Sequence, residues 1–218
     1  MTSPVLVAIT GGSGAGKSSL AAGLAARLGP ERAVVVAQDA YYVDRSHLPV
    51  DVRASLNYDV PEAWDRELIV EHLRALRAGR AVPVPMYAFT THTRHDGARV
   101  VAPKAIVLVE GLTLLSDPEI RSLFDLRLFV DAPDAIRYQR RVARDTRERG
   151  RTPEDVHRQW QSTVYPAHVG HVEPSRAGAD HVILNLGCLD DCIATAMACI
   201  IAAVQRRTAP LAVNGGTR

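Results

Sequence analysis

Apolar residues in this chain fall into short unbroken runs, separated by stretches in which they recur every third or fourth position, and the two patterns alternate. The run at residues 5–9 is followed by Leu20, Leu24 and Leu28 at helical spacing, which Gly29 and Pro30 bring to a stop. Residues 33–37 then read as a short buried strand with Asp39 just past its end. From Pro61 a helical pattern carries Leu68, Ile69, Leu73 and Leu76 on one face and ends at Gly79, a residue suited to a helix stop. Residues 80–104 read as irregular or as a hairpin. Residues 105–109 are continuously apolar and lead into Glu110 and Gly111, the composition of a strand buried on both faces. Ser116, Asp117, Pro118 and Glu119 carry helix-start signals, residues 126–130 form a further strand, and Pro133 opens the next helix. Thr152, Pro153 and Asp155 repeat the start signal, residues 182–184 supply a last strand, and Ile193, Met197, Ile200, Ile201 and Val204 stripe a closing helix. This alternation predicts an α/β fold: a parallel sheet covered by helices on both faces, with ligands gathered at the carboxyl ends of the strands. The tail at 208–218, rich in glycine and small residues, is expected to be disordered.

Between the first strand and the first helix, residues 11–18 read GGSGAGKS. Gly11, Gly12, Gly14 and Gly16 permit backbone conformations that a Cβ would penalise, so successive N–H groups can turn inward around an anion at a helix N-terminus. Lys17 is placed to reach the outer phosphates of a nucleoside triphosphate, and Ser18 to offer its hydroxyl to a bridging Mg2+. Ser13, Ala15 and Ser19 complete the nucleotide-binding stretch. A dinucleotide fingerprint is excluded, because Lys17 stands where its third glycine belongs. The sheet is therefore expected to be of the P-loop NTPase type.

The chain has 218 residues, 47% of them hydrophobic, enough for one domain with a lid or small insertion. That domain is expected to span residues 1–207, with a lid at about 137–168 and an insertion at about 80–104. A formal net charge of +2 provides no broad positive field, so nucleic acid is not an expected partner. Cys188, Cys192 and Cys199 fall within the last predicted helix without zinc-site spacing and are expected to be buried reduced thiols. The N-terminus shows no signal-type pattern, and nowhere do eighteen apolar residues run together. A cytoplasmic protein with no membrane partner is the expectation.

Phosphoryl transfer requires clamped phosphates, neutralised charge, and an acceptor oxygen held in line and relieved of its proton. Asp39 is the candidate base or orienting group for the acceptor hydroxyl, and Glu110 the candidate to hold Mg2+, directly or through water, opposite Ser18. Seven arginines lie between Arg137 and Arg151, with Arg137, Arg141 and Arg144 at helical spacing. A run of charge is usually a solvated face, but only Asp145 and Glu148 offset this one, so it is also a candidate lid over a triphosphate. Tyr87, Phe89 and His92 form an aromatic group, either a minicore within a hairpin or a surface for a flat ring. His168 and His171 have no third ligand nearby and are not read as a metal site.

These segments, together with QDAYY at 38–42, NYD at 57–59, Tyr87-x-Phe89-x-x-His92-x-Arg94, VEG at 109–111 and RD-x-x-ERGR at 144–151, resemble the uridine kinase (uridine-cytidine kinase) family from about Val5 to Ile183. The resemblance implies transfer of a phosphoryl group from ATP or GTP to the 5′-hydroxyl of uridine or cytidine, a pyrimidine-salvage step, by an enzyme commonly assembled as a homotetramer. By position, Asp39 would be the base and Asp59 would hold the ribose hydroxyls. Tyr87 and His92 would read the pyrimidine, and Arg141, Arg151 and Gln159 would complete the nucleoside site and lid. Two departures stand out: Val60 where the family commonly has His, and Leu184-Asn185-Leu186 before Gly187 where it usually has a Pro-Arg-Gly turn. The nearest alternatives are a small-molecule kinase of the phosphoribulokinase or pantothenate kinase type and, from another class, a regulatory ATPase or GTPase. The latter's Asn-Lys-x-Asp guanine signature is absent from the sequence.

Overall fold

In the computed structural model, which describes residues 3–208, the five apolar runs become one parallel sheet. In chain order the elements are β1 (Val5–Thr10), α1 (Lys17–Leu28), β2 (Ala33–Ala37), a 3-10 turn (Gln38–Tyr41), α2 (Val50–Ser55), α3 (Arg66–Arg77), β3 (Val82–Ala88) and β4 (Thr93–Val101). There follow β5 (Ile106–Glu110), α4 (Pro118–Ser122), β6 (Leu126–Asp131) and α5 (Asp134–Glu148). The short helices α6 (Pro153–Gln159), α7 (Tyr165–Ala167) and α8 (Glu173–Ser175) are joined by π-helical turns at Trp160–Val164 and His168–Val172. β7 (His181–Leu184) and α9 (Leu189–Thr208) complete the chain as described. The sheet order is β2-β5-β1-β6-β7, every pairing parallel, and β3 with β4 forms a separate antiparallel hairpin.

Successive strand side chains point to opposite faces, so a strand covered on both sides must be apolar throughout, and β1 is buried at all six positions. Val5, Val7 and Ile9 pack with Leu20, Leu24, Ile193 and Ile200 of α1 and α9. Leu6 and Ala8 join Ile69, Leu73 and Leu76 of α3 on the other face. The loop before α1 requires its glycines for two distinct reasons. Gly14 and Gly16 have φ of 79° and 101°, in the left-handed region, while a Cβ on Gly12 would overlap the Arg137 guanidinium.

Several elements differ from the sequence expectation. The helix expected from Pro61 begins at Arg66: residues 61–63 form a 3-10 turn, and Trp64 is extended, bridged to Tyr42. Asp65 caps α3 by accepting from the Leu68 N–H at 3.1 Å. Asp65→Ala is expected to lower stability by about 1 kcal/mol, the usual worth of an N-cap, read as a drop in thermal midpoint. α2 carries no buried residue and so left no apolar stripe to detect. Ile201, predicted on the inner stripe of the closing helix, is 51% exposed, and Cys188 precedes that helix and is exposed, whereas Cys192 is buried. The expected disordered tail lies, from residue 209 onward, outside the described residues. Among the described residues, no helix is long and apolar enough to cross a membrane.

Candidate active site

Ala37, Glu110 and Ile9 stand in register across β2, β5 and β1, so the ends of three neighbouring strands bring Asp39, Glu110 and the glycine-rich loop to one rim. The turn carrying Asp39 is pinned by its neighbour. Buried Gln38 donates through Nε2 to Thr113 Oγ1 at 2.9 Å, and its Oε1 accepts from the Thr113 N–H at 3.1 Å. Trp64 Nε1 donates to the same Thr113 hydroxyl at 2.8 Å, and a side chain on Gly111 would overlap Gln38. These contacts explain why Gln precedes Asp39 and Gly follows Glu110.

Lys17 Nζ donates to the Gly12 carbonyl at 3.1 Å. Burial draws Lys17 below its ordinary pKa, while Glu110 and Asp39 pull it back up. Burial, and then the Asp39 charge, push Glu110 up to about 7, against the pull of Lys17 and a hydrogen bond from Ser18. Burial, and then the Asp39 charge, hold the Tyr42 phenol well above its ordinary value. Mg2+ is ordinarily held by one or two carboxylates together with substrate phosphates and water, and the paired Ser18 hydroxyl and Glu110 carboxylate beside Lys17 fit that requirement. His168 lies 3.6 Å from Glu173, and among the described residues no three His, Cys, Asp or Glu side chains cluster as a metal site.

Beside this rim lies a pocket. Asp59, Tyr87, Phe89, His92, Arg141, Arg151 and Gln159 all line it, drawn from the segment before α3, the hairpin, α5, the loop after it and α6. Arg141, buried, donates to Ser13 Oγ in the glycine-rich loop at 2.8 Å and to Gln159 Oε1 at 3.3 Å, and lies 3.7 Å from Asp59. One guanidinium therefore ties the pocket to the loop. Burial raises Asp59 above the usual carboxylate range, opposed by Arg141 and reinforced by Asp39. His92 has φ of 52° and stacks on Tyr58 at 5.0 Å between centroids. Its burial, then Arg151 and Arg149, hold the imidazole below its ordinary value, so the ring is neutral at pH 7.

Tyr42, Tyr58, Leu56 and Thr163 also line the pocket without being singled out by the sequence pattern, as does Arg149, a member of the arginine run expected to form the lid. Tyr42 and Tyr58 were present within the quoted QDAYY and NYD segments. Thr163 sits in a π-helical turn, for which the sequence offers no local signal. The arginine run does not act as one face. Arg137 is buried against the glycine-rich loop, Arg140 reaches Asn185, and Arg147, 75% exposed, pairs with its neighbour Glu148.

A glycine-rich phosphate loop between the first strand and helix of such a sheet, with carboxylates on neighbouring strand ends, defines the class of P-loop nucleotide-binding proteins. Residues 6–190 match the Phosphoribulokinase / Uridine kinase family. The chain belongs to that family. It is 43% identical over 183 residues to the uridine kinase of Shewanella amazonensis, covering 82% of this chain and 86% of that one. It is likewise 43% identical over 183 residues to the uridine kinase of Clostridium perfringens, covering 84% and 88%. Phosphoribulokinase from Rhodobacter spheroides shares the fold with a TM-score of 0.61 at 18% identity, over 88% of this chain and 74% of that one.

Proposed function

We propose that this chain is a uridine kinase that transfers the γ-phosphoryl group of ATP or GTP to the 5′-hydroxyl of uridine or cytidine. The observation that carries this reading is the convergence of Asp59, Tyr87, Phe89, His92, Arg141, Arg151 and Gln159 on one pocket beside the phosphate loop. Identity above 40% to curated uridine kinases over most of the chain supports it. The phosphoribulokinase and pantothenate kinase alternatives would need the loop and Asp39 but not an aromatic pocket for a flat ring.

In this reading Lys17 and the loop N–H groups clamp the donor phosphates, and Asp39 takes the proton from the 5′-hydroxyl as the oxygen attacks. Ser18 and Glu110 would hold Mg2+, which when bound would neutralise charge on the phosphates. Tyr87, Phe89 and His92 present ring faces and edges to the pyrimidine, and the neutral imidazole can donate or accept, so that a 4-keto or a 4-amino group is accommodated. Asp59 accepts from the ribose hydroxyls, with Arg141, Arg151 and Gln159 completing the nucleoside site.

Asp59→Ala is expected to narrow the preference for uridine over deoxyuridine by about tenfold or more in kcat/KM, because the wild-type acceptor is left unpaired by the deoxy sugar. Steady-state rates on both nucleosides check this, and an unchanged ratio assigns ribose recognition elsewhere. The function itself is tested by an acceptor panel with Mg2+ and ATP or GTP: uridine, cytidine, deoxynucleosides, purine nucleosides, ribulose 5-phosphate and pantothenate. Uridine and cytidine should dominate; turnover confined to ribulose 5-phosphate or pantothenate overturns the reading.

A further inference from the structure

Three arginines near the pocket and the loop share one buried carboxylate. Asp145 is fully buried, with Arg144 Nε 2.8 Å from Oδ1, Arg141 Nε 3.4 Å from Oδ2, and Arg149 Nε 3.7 Å from Oδ1. Its backbone carbonyl also accepts from the N–H groups of Arg149 and Arg151, each at 3.2 Å, where α5 ends. The three arginines lead to different places. Arg144 lies close enough to Lys17 and Glu110 to act on their charges, at the phosphate loop. Arg149 sets its guanidinium 4.3 Å from the Phe89 ring, at the base end of the pocket. Arg141 spans both, touching Ser13 and facing Asp59.

We propose that Asp145 is a positioning residue that couples the donor and acceptor sites, by holding Arg144 toward the phosphate loop, Arg149 toward the nucleoside and Arg141 between them; this rests on the kinase reading above. The need for such a residue is electrostatic. Guanidinium groups cannot be deprotonated to relieve their mutual repulsion, so several can share a half-buried space only around a fixed negative charge. Burial opposes ionisation of Asp145, yet the three arginines hold its carboxyl below the usual range, so the charge is present. Because one carboxylate is shared by all three side chains, through a hydrogen bond to Arg144 and ion pairs to Arg141 and Arg149, ordering Arg144 on a bound triphosphate also favours Arg149 over the nucleoside pocket.

The test is uridine binding by calorimetry, with and without Mg2+ and a non-hydrolysable ATP analogue, together with both KM values. In the wild-type protein the analogue is expected to tighten uridine binding about fivefold or more, and in Asp145→Asn that coupling should fall below about twofold while both KM values rise roughly tenfold. Asp145→Glu, which keeps the charge, should restore part of the coupling. Arg144→Gln should raise KM for ATP and Arg149→Gln that for uridine, and these two partly exposed positions decide the matter if Asp145→Asn does not fold. The proposal is overturned if Asp145→Asn loses thermal stability but keeps wild-type coupling, or if both arginine variants alter the same KM. A wild-type protein that does not phosphorylate uridine would instead overturn the functional reading beneath it.

Discussion

Asp39→Asn is expected to lower kcat by about 10³-fold while changing KM for uridine by less than roughly threefold. The amide is nearly isosteric, so the turn pinned by Gln38 and Thr113 is retained. What is lost is a basic oxygen able to take the proton from the attacking hydroxyl. Binding should not suffer, because the Asp39 charge pushes up the pKa of both Glu110 and Asp59, and its removal leaves those carboxylates easier to ionise. Steady-state kinetics at saturating ATP distinguish the roles. A raised KM with unchanged kcat would make Asp39 a binding group and remove it from proton transfer.

Lys17→Ala should reduce turnover by about 10³-fold or more with every acceptor, since in the proposed reading the lost cation is the one that clamps the donor phosphates. The effect extends beyond the lost phosphate contact. Lys17 offsets Glu110, Asp39 and Asp59 on the same rim, and without it Glu110 and Asp59 become harder to ionise at neutral pH. With Lys17 gone Glu110 is protonated more of the time than in the wild type and is a poorer magnesium ligand, so nucleotide affinity and metal dependence should worsen together. Turnover on uridine and cytidine, with calorimetric titration of the ATP analogue, measures both. Activity within about tenfold of wild type would remove Lys17 from the phosphate clamp.

Whether a feature could be read from the sequence depended on how locally it is specified. The glycine-rich loop and the doubly buried strands are legible because each is a contiguous pattern with a single structural solution. In the sequence Pro61 and Glu62 look like the first turn of α3, whereas the bridge from Tyr42 to Trp64 and the hydrogen bond from Trp64 to Thr113 keep that stretch out of the helix. α2 leaves no signal in the sequence because it buries nothing. Along the chain Asp145 reads only as an offset to the arginine run, since its burial arises from how the elements pack.

The residue types and their order determined the sheet, the phosphate loop and the set of polar and aromatic side chains available for chemistry, because strand burial and anion-binding turns are short-range properties of the chain. Only the tertiary structure decided which of them meet. Gln159 reaches Arg141 through the packing of α6 on α5, Arg141 reaches Ser13 across 128 positions, and Asp145 gathers three arginines that the sequence spaces along a helix and beyond it. Contacts of that range depend on how whole elements pack, and a buried charge acquires its partners only after that packing excludes water.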